Sequence, residues 1–225
     1  MASWMVHLRM AEALLPRMGT IDETAFIMGN MAPDSGVPNE DWTEFHPPAS
    51  VSHFRTKTDN GSFIDADRFR DRYLNDVALS GYSLKALSFF LGYYAHLLTD
   101  IRWAGTIYVP LKTDWPEEYA ENKSALVRNA KEDWYDLDYL YLEQHPAFRA
   151  FSVYENAVGF ENEFMEEFSR DAFDNRRAYI CGFYRNGEHG DLHRAFRYLK
   201  PEQVDAFIRD TSTWILTHVS GYLRR

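Results

Sequence analysis

His96 and Asp100 stand four residues apart in the segment His96-Leu-Leu-Thr-Asp100, within a run whose apolar spacing is helical. Residues four apart lie on the same face of a helix, so this imidazole and this carboxylate can reach one cation. Zinc accepts histidine nitrogen and carboxylate oxygen in a shell of about four ligands. The pair alone is also typical of a structural hydrogen bond, so a metal site requires further donors.

Three other segments supply such donors. Asp34 follows a proline at the end of an apolar stretch, and His53 lies beyond a proline-rich loop. Near the start of the chain, Trp4 and His7 lie one helical turn apart. Together with His96 and Asp100, these segments place His7, Asp34 and His53 among the residues whose side chains could donate to a metal. They come from four separate segments, so the fold has to bring them together.

The joint order of these motifs resembles that of the zinc-dependent phospholipase C family. The family order is Trp-x-x-His, then Gly-x-x-Ala-Pro-Asp, then His-Phe, and finally Gly-Tyr-x-x-His-x-x-x-Asp. This chain carries Trp4/His7, Gly29-Asn-Met-Ala-Pro-Asp34, His53-Phe54 and Gly92-Tyr93-Tyr-Ala-His96-Leu-Leu-Thr-Asp100. Each motif is short, but their order and spacing together are specific, and the resemblance covers roughly the first hundred residues.

The resemblance implies an all-α, single-domain helical bundle with the metal site in a cleft. It implies a zinc-dependent hydrolase that acts on phosphodiester bonds through a metal-activated water. Carried over by position, Asp34, His53, His96 and Asp100 hold the first zinc. Asp100 bridges toward a second ion that His7 helps to hold. Asp34 is the predicted catalytic residue, placed to take a proton from the attacking water.

Two departures from the family pattern bear on the number of ions. Trp4 is not the first residue, whereas the N-terminal Trp of secreted family members binds a metal through its main chain. After Asp100, the chain lacks the further His and the His-x-x-x-Glu motif that accompany a three-zinc site. We therefore predict Zn²⁺ as the cofactor, with one or two ions per chain.

Other acidic and histidine-containing segments offer alternatives. Asp133 and Asp136 share a helix face, and they either complete a second metal site or belong to a solvated acidic face. His189 and His193 would lie on one face if a helix began there. The surrounding loop composition instead favours Asp191 as a helix N-cap.

Two other functions compete with the hydrolase. Four protein ligands can close a zinc shell without leaving a position for water, which would make this a noncatalytic helical protein with a structural zinc. An HD-type nucleotide phosphohydrolase is disfavoured, because no His is directly followed by Asp.

Composition limits the partners. With 225 residues, the chain suits one domain over residues 1–225. The net charge of −10 disfavours binding to a nucleic acid scaffold. A small phosphoester or a phospholipid head group is the predicted substrate.

Three features of the sequence predict a cytoplasmic location. The chain has a single cysteine, no apolar run long enough to span a bilayer, and no recognisable signal peptide. The oligomeric state stays open.

Apolar spacing predicts helices almost throughout the chain. The predicted helices cover residues 4–18, a short stretch from Thr20 to a stop at Gly29, residues 65–81, a helix capped by Ser83, residues 117–143, residues 153–171, and a last helix from residue 200. Residues 30–52 and 173–190 are predicted loops. Arg55, Lys57 and Arg102 are candidate phosphate contacts.

Overall fold

Helices make up most of the computed structural model, which describes residues 1–41, 43–59 and 61–223. The helices are α1 (Trp4–Leu14), α2 (Glu23–Met31), α3 (Ala49–Ser52), α4 (Ala66–Tyr73), α5 (Asp76–Ser80), α6 (Leu84–Trp103), α7 (Leu111–Asp114), α8 (Pro116–Gln144), α9 (Arg149–Asn156), α10 (Ala172–Asn186) and α11 (Pro201–Val219). The predicted all-α fold is therefore confirmed.

The remaining regular structure is short. Two antiparallel hairpins are formed by β1 (Val37–Pro38) with β2 (Phe45–His46), and by β3 (Arg55–Thr58) with β4 (Gly61–Ile64). Turns of 3₁₀ helix follow α1 and α2, and a π-helical turn, Ala104–Tyr108, extends α6. In the part of the chain that the structure describes, no helix has the length and apolar character needed to cross a membrane.

Polar side chains cap the starts of α1, α2 and α6. Ser3, Asp22 and Ser83 each accept a hydrogen bond from the main-chain N–H three residues on. Such bonds satisfy donors that a helix cannot pair internally. Ser83 caps α6 as predicted, whereas α2 is capped by Asp22 and not by Thr20. These caps set where α1, α2 and α6 start, and hence which faces their site residues occupy.

The centre of the fold is the contact between α2 and α6, which cross at two glycines. A methyl group on Gly29 would collide with the carbonyl oxygen of Phe89, and one on Gly92 would collide with that of Phe26. The prediction that Gly29 ends a helix is therefore wrong. It lies inside α2 because only glycine lets the two backbones approach so closely.

The predicted boundaries are also wrong in the third quarter of the chain. Residues 157–171, within the predicted helix 153–171, form turns and irregular structure. Most of the predicted loop over residues 173–190 belongs to α10. Asn162 organises the turns. Its side-chain oxygen accepts hydrogen bonds from two main-chain N–H groups, and its amide donates to two carbonyls. Asn side chains compete with helical hydrogen bonding in this way, and Phe164 still reaches the core, stacked on Phe89 at 4.1 Å.

Two further predicted helices are interrupted. The segment predicted as one helix over residues 65–81 divides into α4 and α5, because Asn75 caps α5 through the N–H groups of Val77 and Ala78. α8 is kinked at Asn122, whose side chain accepts a hydrogen bond from the Ala125 N–H. The predicted loop over residues 30–52 contains β1, β2 and α3.

Candidate metal centre

Four separate segments deliver the five predicted ligands to one buried point. His7 lies on α1, and His96 and Asp100 lie one turn apart on α6. Asp34 ends the 3₁₀ turn after α2, and His53 directly follows α3. The side chains of His7, His96 and Asp100 are fully buried, and those of His53 and Asp34 are 5% and 9% exposed. The fold thus assembles the set that the sequence singled out.

The first group of donors consists of Asp34, His53, His96 and Asp100. His53 Nε2 lies 3.3 Å from His96 Nε2 and 3.2 Å from Asp34 Oδ1. Asp100 Oδ2 lies 3.8 Å from His96 Nε2 and 3.9 Å from His53 Nε2. Ligands about 2.0–2.2 Å from a tetrahedral zinc stand about 3.3–3.6 Å apart. The distances from His53 to His96 and Asp34 are close to this spacing, and those from Asp100 Oδ2 to the two imidazoles are somewhat longer.

The second group of donors is built on His7. Its ring stacks on that of His96 with centroids 3.7 Å apart, and His7 Nε2 lies 3.5 Å from Asp100 Oδ1. Ligand atoms of His7, His96 and Asp100 all lie within 4.8 Å of one another, as do those of Asp34, His53 and His96. Asp100 thus presents one oxygen to each group, which is the arrangement of a bridging carboxylate.

Buried atoms without hydrogen-bond partners make this point suitable for a cation. Both ring nitrogens of His7 lack a hydrogen-bond partner among the described residues. The same is true of Asp100 Oδ2. A buried polar atom without a partner costs about 1–3 kcal/mol. A bound cation would satisfy these atoms, so the residues present fit a metal.

Residues 6–103 match the zinc-dependent phospholipase C family. The resemblance read from the motifs is therefore confirmed for this segment, which contains all five predicted ligands. Residues 104–225 lie beyond the matched segment. No curated protein and no solved structure matches the chain.

The protonation states suit the metal chemistry of that family. Burial raises the pKa of Asp34, but the hydrogen bond with His53 and the nearby imidazoles outweigh it and lower the pKa to about 2. Burial acts the same way on Asp100, and His7 and His96 again bring its pKa below the ordinary value. Burial lowers the pKa of His96 to about 3, and His7 adds to the effect. Ionised carboxylates and neutral imidazole are the forms that bind metal.

The histidines of the first group are oriented through their other ring nitrogens, by residues that sequence reasoning missed. His96 Nδ1 lies 2.7 Å from the main-chain oxygen of Asn30, and His53 Nδ1 lies 2.9 Å from Ser52 Oγ. The Asn30 side chain donates to the carbonyl of Gly92. These bonds leave both Nε2 atoms free to face the centre. Asn30 falls within the family motif, which was the one available signal.

Phe54 turns the chain sharply after His53. Its φ angle is 51°, in the left-handed region that bulky residues rarely adopt. Strain of this kind costs on the order of 1–3 kcal/mol. Its ring packs edge-on against Phe69 at 5.3 Å, and its carbonyl accepts the N–H of Asp65. The packing of Phe54 therefore holds the turn that orients His53.

The start of the chain is tied to the same centre. The main-chain N–H of Ala2 donates to Asp100 Oδ1 at 2.7 Å. Ser3 Oγ donates to Asp138 Oδ1, and Tyr184 donates to Asp138 Oδ2, each at 2.8 Å. Burial raises the pKa of Asp138 to about 7, although these hydrogen bonds act in the other direction. Asp138 was not among the predicted residues, and it holds the end of α1 that carries His7.

Asp133 and Asp136 do not join either donor group. Asp133 forms an ion pair with Arg194 at 2.6 Å and accepts the N–H of Tyr198, while Asp136 pairs with Arg194 at 2.9 Å. Both carboxylates are buried, so the interpretation as a solvated acidic face is wrong as well. They are buried because the segment that precedes α11 supplies both the positive charge and the N–H groups that they need.

The alternative histidines and cations have other environments. His189 packs on the Tyr139 ring, and His193 pairs with Glu143 at 3.2 Å on the surface. The guanidinium carbon of Arg102 lies 5.3 Å from the centroid of the Trp214 ring. Arg102 does not line the cleft beside the metal donors. Lys57 is exposed on β3.

A cleft of about 1270 Å³ opens beside the donors. Asp34 and His53 lie in its wall together with the cations of Arg55, Lys131 and Arg176. Its apolar lining includes Trp4, Val37, Pro38, Phe45, Pro47, Trp134 and Tyr135. A ligand in this cleft can therefore present a charged group to Asp34 and His53 while an apolar group contacts the rim.

Proposed function

We propose that this protein is a zinc-dependent hydrolase of phosphodiester bonds. The observation that carries the proposal is the convergence of Asp34, His53, His96 and Asp100 on one point at the wall of the large cleft. These four residues would hold the first zinc, and His7 with Asp100 would help to hold a second. When bound, zinc lowers the pKa of a water ligand and offsets negative charge on a phosphoryl group.

Residues of the chain would accept the proton and position the metal ligands. Asp34 is the one carboxylate of the group that also lines the cleft, and its low pKa keeps it ionised. It is our candidate for accepting the proton of the attacking water. Its two hydrogen-bonding sites would also fix the orientation of that water. His53 and His96 keep fixed positions through Ser52 and Asn30.

The cleft favours a substrate with both a phosphate and an apolar group. Lys131 and Arg55 line it, and Lys131 makes no ion pair or hydrogen bond with a described residue. These cations can hold a phosphoryl group, whereas Trp134, Tyr135 and Phe45 offer apolar surface. A phospholipid head group with the adjoining part of its chains has this character, and so does an aryl phosphodiester. The cytoplasmic location stays a prediction from the sequence.

The proposal is tested by metal content and hydrolysis together. Protein purified without chelator should hold one or two zinc ions per chain by elemental analysis. It should hydrolyse bis(p-nitrophenyl) phosphate and short-chain phospholipids, with a rate that rises toward neutral or mildly alkaline pH. Asp34→Asn keeps the shape of the side chain but removes its charge and basicity. It should lower the rate by at least a hundredfold, a typical size for loss of a general base.

Exposed Asp191 provides the control, since Asp191→Asn should change neither metal content nor rate. The proposal fails if fully metallated wild-type protein is inactive on phosphodiesters and phospholipids.

A structural zinc is the second candidate, and one observation favours it. The first donor group contains four protein ligands, which is enough to close a tetrahedral shell. Cobalt substitution separates the two functions. Its visible spectrum reports whether an added anion enters the metal shell, which a catalytic site permits and a closed structural site does not.

A further inference from the structure

Arg176 is a buried cation in the wall of the cleft beside the metal donors. It lies on α10, outside the matched residues 6–103, and only 7% of its surface is exposed. Its guanidinium donates a hydrogen bond to the main-chain oxygen of Gly36, two residues after Asp34. The guanidinium carbon also lies 5.3 Å from the centroid of the Tyr179 ring. These contacts hold a positive charge close to the segment that carries Asp34 to the metal centre.

Arg176 differs from the other arginines of α10 in having no carboxylate partner. Arg177 pairs with Asp174 at 2.7 Å. Arg185 pairs with Glu155 at 2.8 Å. In the described part of the chain, no acidic side chain forms an ion pair with Arg176. A buried charge is unfavourable unless an opposite charge compensates for it, so Arg176 is suited to pair with a bound anion.

The cleft carries more cations than carboxylates, although the whole chain has a net charge of −10. Its cationic residues are Arg55, Lys131 and Arg176. Among the described residues that line it, the acidic ones are Asp34 and Glu44, and Asp34 belongs to the metal donors. Because charge of one sign in a cleft attracts ligands of the opposite sign, the site is suited to an anionic ligand even though the protein is acidic.

The charge of Arg176 exceeds what the reacting group of the substrate requires. A phosphodiester carries one negative charge, which a bound zinc ion would already offset. The guanidinium is therefore available for a second anionic group, and its planar arrangement of N–H donors fits the oxygens of a carboxylate or a phosphate. Building on the proposed hydrolase function, we propose that Arg176 determines specificity by binding an oxyanion that the substrate carries in addition to the reacting phosphodiester. The preferred substrates are thus phosphodiesters with an anionic head group.

Pairs of short-chain phospholipids that differ by one anionic group test the proposal. Dihexanoylphosphatidylserine carries a carboxylate that dihexanoylphosphatidylethanolamine lacks. Dihexanoylphosphatidylinositol 4-phosphate carries a phosphate that dihexanoylphosphatidylinositol lacks. For at least one pair, kcat/KM of the zinc-loaded protein should be about tenfold higher for the more anionic lipid, the effect of one charge-assisted hydrogen bond. The pair with the larger ratio identifies the oxyanion that fits, whereas equal kcat/KM values within both pairs would overturn the proposal.

Arg176→Gln should remove that preference. The substitution deletes the charge but keeps an amide that can donate to the Gly36 carbonyl. KM for the more anionic lipid should rise about tenfold, while kcat/KM for its less anionic partner should stay within about twofold of the wild-type value. Equal losses for both lipids would instead place Arg176 at the reacting phosphate and contradict its role in specificity.

Two further variants control for effects on the fold. Arg185→Gln changes an arginine of the same helix that does not line the cleft, and it should keep the wild-type preference. Arg176→Lys keeps the charge and provides the test if Arg176→Gln does not fold. Lysine lacks the planar fork, so the preference should fall at least about threefold. An unreduced preference in Arg176→Lys, or a lost preference in Arg185→Gln, would contradict the assignment.

Binding distinguishes a failure of this proposal from a failure of the hydrolase function. If the zinc-loaded protein hydrolyses none of these lipids, calorimetric titration with the water-soluble glycerophosphodiesters of the same four head groups still tests Arg176. The more anionic compound of at least one pair should bind about tenfold more tightly, and Arg176→Gln should remove the difference. Equal affinities within both pairs, or a difference that persists in Arg176→Gln, would refute the role of Arg176 independently of catalysis.

Discussion

At the scale of single residues, the two imidazoles of the first donor group are oriented by different kinds of partner. His96 is held by the main-chain carbonyl of Asn30, whereas His53 is held by the hydroxyl of Ser52. A substitution can remove a side-chain hydroxyl but not a carbonyl of the backbone. The orientation of His53 is therefore the one that mutation can test cleanly.

We expect Ser52→Ala to weaken zinc binding about tenfold, within the range of about 10–100-fold for loss of such partners. The His53 ring would lose the bond that fixes its tautomer and direction. The measurement is competition for zinc against a chromophoric chelator. Exposed Ser50 in the same helix gives a matched control, and Ser50→Ala should bind zinc like the wild type. Equal affinities for both variants would show that the Ser52 bond does not orient His53.

The raised pKa of Asp138 predicts that the free energy of unfolding depends on pH. Its pKa in the folded protein is about 7, above the ordinary value of 3.8. Between these values the folded protein keeps a proton that the unfolded chain has released. The free energy of unfolding should therefore fall as pH rises from about 4 to about 7, by up to about 4 kcal/mol at about 1.4 kcal/mol per pKa unit.

Asp138→Asn should remove that component. Urea unfolding of zinc-free protein between pH 5 and pH 8 measures it, with the exposed carboxyl variant Asp114→Asn as control. The variant should be more stable than the wild type above pH 7 and differ less at pH 5. Parallel pH profiles for Asp138→Asn and the wild type would exclude a raised pKa at this position.

At the scale of elements, the contact between α2 and α6 positions most of the metal centre. α6 carries His96 and Asp100, α2 supplies the Asn30 carbonyl, and the turn after α2 ends at Asp34. Gly29 and Gly92 set the distance between the two helices. Any substitution that separates them therefore affects packing and ligand geometry together.

Gly92→Ala should destabilise the protein by about 3 kcal/mol, the upper part of the range for overpacking, and weaken zinc binding as well. Its methyl group would meet the backbone of α2, which cannot move aside as a side chain could. Gly182→Ala in α10 is the control, since its Cβ meets no other atom within 4 Å. It should stabilise the helix by up to about 1 kcal/mol. Denaturant unfolding measures both, and a Gly92→Ala variant as stable as the wild type would refute the close contact.

At the scale of the whole molecule, the metal centre connects parts of the chain far apart in sequence. His7, Asp34, His53 and the pair on α6 come from four segments, and Asp138 ties the end of α1 to α8. An ion bound to these residues would stabilise the folded protein and not the unfolded chain. The metal would thus act on global stability.

Removal of zinc should therefore lower the melting temperature. Stabilisation by a bound ion follows mass action and amounts to about 4 kcal/mol when free zinc exceeds its dissociation constant a thousandfold. Differential scanning calorimetry with and without a chelator measures the change. His96→Ala should be insensitive to the chelator, whereas His189→Ala should respond like the wild type. An unchanged melting temperature after verified loss of metal would contradict a centre that joins these segments.

The sequence by itself determined the all-α class and the five residues that meet at the centre. The five residues follow from the separation of His96 and Asp100 on one helix face together with motifs that resemble those of the zinc-dependent phospholipase C family. The class follows from the helical spacing of apolar residues. The long helices α6, α8 and α11 were predicted for the same reason. Each buries a regular stripe, and that stripe is visible in the sequence whatever it packs against.

The tertiary structure decided what depends on partners distant in the chain. Gly29 resembles a helix stop until α6 is known to cross at that residue. The aromatic residues of 157–171 have helical spacing, but the hydrogen bonds of Asn162 and the packing of Phe164 on Phe89 favour turns. Burial of Asp133, Asp136 and Asp138 depends on groups supplied by Arg194, Ser3 and Tyr184. A carboxylate can be buried only where such partners pair with it, and the neighbouring sequence does not show which distant residues will do so.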